Sequence, residues 1–152
     1  MSNNTSYDDF VLEAGDRLRA ALVSAYGLEV GIEATSEALA YGWEAWDRLQ
    51  AMDNPVGYLY RVGQTAAGRY RRNAPVLDRP LPDEIPNFEP GLVPALEQLS
   101  EQQLVCVMLV HAHGWTQADA AELLDIGPDT VRTHLNRGMT KLQKLLKVKP
   151  DA

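Results

Sequence analysis

"WTQADAAELLDIGPDTVRTHLNRGMTKLQKLL", residues 115–146, is the stretch on which the reading of this chain turns. Thr116 offers a side-chain oxygen ahead of a run of helix formers, and Asp119 follows three residues later as an acid in the first turn. The pattern predicts a short helix over Gln117–Leu124, a tight turn at "DIG", and a second helix opened by Pro128, whose missing N–H costs nothing there. Val131, Leu135, Leu142, Leu145 and Leu146 make an apolar stripe on the second helix. Ala121 is small enough to let the two helices cross closely. A short helix, a tight turn and a second helix with a buried stripe form a helix-turn-helix.

The second helix of such a motif lies in the major groove. Arg132, Thr133, Asn136, Arg137, Thr140 and Lys141 face away from the stripe. Arginine bonds guanine bidentately, Asn does the same with adenine, and Thr bonds bases or phosphates. Lys141 and Lys144 are placed for phosphates. Thr116, Gln117, Thr130 and His134 complete the expected duplex-contacting set.

Charge placement agrees with this reading. The chain has 152 residues and a net charge of -7, yet residues 129–152 hold 6 basic side chains against 2 acids. Residues 61–79 hold 5 basic against 1 acidic, while residues 80–128 hold 8 acids and no Lys or Arg. Two basic islands in an acidic chain favour one docking orientation on a polyanion.

Working outward, "NAPVLDRPLPDEIPNFEPG", residues 73–91, has five prolines. Proline removes a backbone donor and fixes φ, so an extended linker is expected there, between helical modules at 7–72 and 92–148. In the first module, Phe10, Ala14, Leu18, Ala21, Leu22 and Ala25 recur at helical spacing up to Gly27. "GIEATSEALAYGWEAWDRLQAM" reads as a second helix, with Ile32, Leu39, Trp43, Trp46 and Leu49 apolar. In "NPVGYLYRVGQTAAGRYRR", Asn54 caps a third helix, Pro55 opens it, and Leu59, Val62 and Ala66 share one face. The second module begins near Pro94, with Ser100 and Gln103 as a capping box and Gly114 as a stop. Trp115 is expected to staple against the following helix. No stretch alternates with period two, so the expected fold is all-α, with two small helical domains.

"LEQLSEQQLVCVMLVHAHGWTQADAAELLDIGPDTVRTHLNRGMTKLQKLL" resembles the fourth conserved region of bacterial sigma factors, especially the extracytoplasmic-function (ECF) group. The first module resembles the same family. "EATSEALAYGWEAW" is similar to its acidic-aromatic helix, and the resemblance implies that Glu33, Glu37, Leu39 and Trp43 meet the clamp helices of core RNA polymerase. "NPVGYLYRVGQTAAGRYRR" is similar to the adjoining helix, which meets the melted −10 element. It implies a strand-contacting set of Tyr58, Tyr60, Arg61, Gln64, Thr65, Arg69, Arg71 and Arg72, in which rings stack on unstacked bases and arginines hold phosphates. The C-terminal helix would read the −35 element. Departures from the family pattern are Ser36 for Gln, Leu39 for Phe, "GQT" at Gly63–Thr65 for "ARN", and Asp125 where Gly is common in the turn. Gly63 and Gly68 are expected to weaken their helix by roughly 1 kcal/mol each relative to Ala.

The resemblance implies core RNA polymerase and promoter DNA as partners, with an anti-sigma protein as a further one. An antagonist or adaptor that binds polymerase or a regulator without initiating transcription is the alternative; an ordinary helix-turn-helix repressor or activator is the third. No P-loop, dinucleotide fingerprint or nucleophile elbow occurs, so no enzyme, cofactor or small-molecule substrate is expected. His111 and His113 are two apart, not the i, i+4 of a helical metal site, so no metal is expected. The lone Cys106 reads as a small buried hydrophobe. The apolar run Leu104–Val110 is far short of the about 20 residues of a membrane span, and "MSNNTSYDDF" lacks the marks of a signal peptide. A cytoplasmic protein is expected.

Overall fold

The computed structural model describes residues 3–73 and 91–146, and every regular element among them is helical. The expected linker at 73–91 lies outside the described residues except for its ends. So do residues 147–148 and the side chains of Arg71 and Arg72.

The N-terminal module is built from α1 (Asn3–Tyr26), α2 (Leu28–Glu44), the short α3 (Trp46–Leu49) and α4 (Pro55–Asn73). α1 buries Leu18, Ala21, Leu22 and Ala25 as its periodicity requires. α2 buries Gly31, Ala34, Thr35, Ala38 and Gly42, a stripe of small residues that brings it close to α1 and α4. This corrects the apolar set expected there: Ile32 and Leu39 are half-buried, and Trp43 is half-exposed. The single helix expected through Trp46 and Leu49 is also interrupted, at Ala45, so that both residues turn inward on α3. Asn54 caps α4, its Oδ1 accepting from the Gly57 amide at 3.1 Å.

Gly63 has a packing reason that helix propensity does not reveal. A Cβ there would stand 2.6 Å from Cδ1 of Leu22, which is fully buried on α1. The glycine sets how closely α4 approaches α1. Gly68 meets nothing within 4 Å and keeps only the propensity cost.

The C-terminal module is α5 (Leu92–Leu96), α6 (Glu101–Val107) running into a π turn (Met108–Ala112), α7 (Gln117–Leu124) and α8 (Pro128–Leu146). The capping box forms in both directions, Gln103 N to Ser100 Oγ and Ser100 N to Gln103 Oε1, each at 3.1 Å. Gly114 ends the helix at φ 75°. α6 and α8 cross at Gly138, where a Cβ would come within 2.9 Å of Cγ2 of Val107.

The two modules share one continuous core, in which Leu22, Leu59 and Tyr60 join Val105, Cys106 and Leu123. Polar contacts line the seam between them. Tyr26 donates to Glu101 at 2.6 Å, and Asn54 Nδ2 donates to the Glu122 carbonyl at 2.6 Å. Arg61 pairs with Asp125 at 3.0 Å. The Arg17 guanidinium lies 5.1 Å from the Trp115 ring centre, a cation–π contact. Trp115 therefore meets α1 of the other module as well as its own.

Candidate nucleic-acid interface

The helix-turn-helix is assembled by local bonds. Thr116 Oγ1 accepts from the Asp119 amide at 3.0 Å, satisfying one orphan donor of α7. α7 ends on Asp125 in the left-handed region (φ 60°, ψ 45°), the conformation that the turn demands and glycine usually supplies. The Ile126 amide then reaches back to the Ala121 carbonyl at 3.1 Å, a Schellman closure. Gly127 accepts from Thr130 and Val131 at 3.0 and 3.1 Å, starting α8 around Pro128.

α8 buries Val131, Leu135, Gly138 and Leu142. Leu145, counted in the stripe by spacing, is instead exposed, and Leu146 is half-buried. The opposite face is open: Thr130, Arg132, Thr133, Asn136, Arg137, Thr140, Lys141 and Lys144 are all exposed, and His134 is intermediate. Thr116 and Gln117 are exposed at the head of α7. Two of the cations are engaged within the protein, Arg132 with Asp129 at 2.6 Å and Lys141 with the Gln98 carbonyl at 2.7 Å. Both sites are at the surface, where such contacts are weak and exchange readily with phosphate.

The residues expected to meet an opened strand are in a different state. Tyr60 is 2 % exposed, and its hydroxyl is buried with no hydrogen-bond partner. Burial pushes its ionisation upward, with Tyr26, Glu101 and Cys106 adding to the effect. Tyr58 is half-buried, its hydroxyl 3.3 Å from that of Tyr41, which Arg48 also reaches at 2.5 Å. Arg61 is held at the seam, Gln64 is half-buried and Thr65 is exposed.

Arg69 pairs with Glu37, and Tyr70 donates to the same carboxylate at 2.9 Å. The Arg69 hydrogen bond, followed by that from Tyr70, holds the Glu37 carboxyl below its usual 4.5. A residue expected at the polymerase contact and one expected at the strand contact are thus bound to each other. Glu33, Ser36, Ala40, Trp43 and Glu44 share the exposed face of α2. Trp43 is 50 % exposed and leans edge-on against Tyr7, ring centres 5.9 Å apart. Glu44 joins that face without having been singled out. Its place one helical turn beyond Ala40 was the available signal.

Cys106 is fully buried, and burial pushes its thiol up to about 11. Among the described residues no group of three or more His, Cys, Asp or Glu is arranged to hold a metal, and no helix is long and apolar enough to cross a membrane.

The family "Sigma-70, region 4" matches residues 92–142. No curated protein matches the chain by sequence. Among solved structures, the chain is similar to the sigma factor RpoE from Bartonella quintana, determined in complex with the anti-sigma factor NepR. The identity is 20 %, the TM-score 0.63, and the match covers 95 % of this chain and 99 % of that one. Residues 92–142 therefore match the Sigma-70 region 4 family, and the chain shares the all-helical fold of the Bartonella quintana protein.

Proposed function

We propose that this protein is a sigma factor: it binds core RNA polymerase in the cytoplasm and directs it to specific promoters, with no covalent chemistry of its own. The observation that carries the reading is the exposed face of α8, where Arg132, Thr133, Asn136, Arg137 and Lys141 stand clear of a buried stripe. That face fits a major groove and would read the −35 element. The acidic-aromatic face of α2, with Glu33, Glu37, Leu39 and Trp43, would dock on polymerase. Tyr58, Tyr60, Arg61, Gln64, Thr65, Arg69, Arg71 and Arg72 would hold the opened −10 strand. The solved relative's complex supports an anti-sigma protein as a further partner.

A second reading is favoured by the state of α4. Tyr60 is buried and Arg61 and Arg69 are paired internally, as suits a sigma-like antagonist or adaptor that never handles an opened strand. Run-off transcription with purified core polymerase and a genomic fragment library separates the two. Discrete RNA 5′ ends sharing upstream elements support the sigma factor. Polymerase capture without transcripts supports the adaptor.

A further inference from the structure

The strand face assigned to α4 is supported from another helix. Tyr58, Thr65 and Arg69 recur at i, i+7 and i+11, about two and three turns apart, and so share one face of α4. Tyr70, the next residue, turns off that face and packs half-buried against the core. Arg69 and Tyr70 nevertheless meet the same carboxylate. Arg69 Nη2 donates to Oε2 of Glu37, and the Tyr70 hydroxyl donates to Oε1 at 2.9 Å. Glu37 stands on α2, more than thirty residues earlier in the chain. Each carboxylate oxygen has its own donor, and the carboxylate is fixed between them.

We propose that Tyr70 and Glu37 are positioning residues for strand binding: seated on the core, Tyr70 aims the Glu37 carboxylate, which holds the Arg69 guanidinium on the strand face of α4. This rests on the strand role given to Arg69 under Proposed function, and it gives Glu37 a second role beside the polymerase contact. A surface ion pair by itself orients a side chain weakly. The third group removes the slack, because the Tyr70 ring is anchored by packing and its hydroxyl fixes one end of the pair. The bond to Glu37 also holds the Tyr70 phenol above its ordinary 10, so it remains a donor at neutral pH. Arg69 is not used up by the arrangement. A guanidinium carries five donors, Glu37 engages one nitrogen, and the side chain is still 49 % exposed. An arginine already held in place loses less freedom when a phosphate arrives.

The test uses the full chain and a mixed-sequence single-stranded oligonucleotide, titrated at several salt concentrations from about 50 mM upward. Tyr70→Phe removes one oxygen, keeps the ring and changes no charge. It should weaken strand binding about two- to fivefold. Arg69→Ala should weaken it and reduce the slope of log K against log salt by about 0.7, the loss of one cation on a single strand. In the Arg69→Ala background Tyr70→Phe should have no further effect, a non-additivity that a merely structural role for Tyr70 does not produce. Glu37→Gln removes an acid as well as the brace, so Glu33→Gln, one turn earlier and exposed on the same helix, serves as the matched charge control. Glu37→Gln should bind the strand at least about twofold more weakly than Glu33→Gln.

Unchanged or tighter strand binding by Tyr70→Phe overturns the proposal, and so does an equal loss with and without Arg69. Tighter binding by Glu37→Gln than by Glu33→Gln also overturns it, because Glu37 would then be withholding Arg69 from the strand. A wild-type chain that binds no strand at the lowest salt does the same. Run-off transcription with core polymerase tests the sigma-factor reading separately, so promoter-specific transcripts beside an additive cycle leave that reading standing and remove the brace alone.

Discussion

Gly63 and Gly68 lie five residues apart on α4, and sequence propensity treats them alike. Their surroundings separate them. Gly63→Ala pushes a methyl against Leu22, which is fully buried, and should destabilise by about 1–3 kcal/mol. Gly68→Ala meets nothing and should stabilise by up to about 1 kcal/mol through helix propensity. Thermal melting of the two variants checks both signs. Tyr60 gives a second contrast. Tyr60→Phe removes a hydroxyl that bonds nothing and should leave stability unchanged or raised, whereas Tyr60→Ala should cost about 3–5 kcal/mol. Equal losses in a urea titration would mean that the hydroxyl is bonded after all.

Glu37 carries a pH dependence with a definite sign. Its folded carboxyl is held below the ordinary 4.5 by Arg69 and Tyr70, so its contribution is fully present above that value. It fades as pH falls below 4.5 through the lowered folded value. The pair is partly exposed, so solvent screening keeps the contribution small, below about 1 kcal/mol. Glu37→Gln should lose that increment at neutral pH and melt like the wild type in acid.

At the scale of the element, α7 and α8 are specified almost wholly by their own residues. Thr116 caps, Asp125 turns left-handed and Pro128 opens, each placed as the sequence predicts. Thr116→Ala should cost about 1 kcal/mol, measured by thermal melting, without moving the exposed face of α8. That face makes the functional prediction of this element. Arg132→Ala and Arg137→Ala should each weaken duplex binding and reduce the slope of log K against log salt by about one, as the loss of a phosphate-neutralising cation requires. Titrations at several salt concentrations read both effects, and unchanged slopes would exclude this face as the one that meets DNA. Arg132 must also leave Asp129 to act, so Asp129→Ala should tighten duplex binding modestly.

Over the whole molecule the notable feature is the shared core. Buried residues of both modules form one cluster, so unfolding should appear as a single cooperative transition. Far-ultraviolet circular dichroism and Cys106 alkylation followed through the same urea titration should give coincident midpoints. Two separate midpoints would mean that the modules hold independently and that the seam contributes little. The closed packing also explains why Tyr60 is buried and Arg61 is paired across the seam.

The helices, their caps, the left-handed turn and the exposed polar face of α8 were legible in the sequence, because each depends on neighbours within a few residues. Periodicity reports one buried face per helix, and local hydrogen bonds set helix ends. The break at Ala45, the small-residue stripe of α2 and the purpose of Gly63 were not legible, because each answers to a helix remote in the chain. Nothing in the local pattern of "YLYR" separates a tyrosine offered to DNA from one sealed against Tyr26, Glu101 and Cys106. That distinction belongs to the packing of residues 3–73 against 91–146, where long-range burial overrides what any single segment prefers.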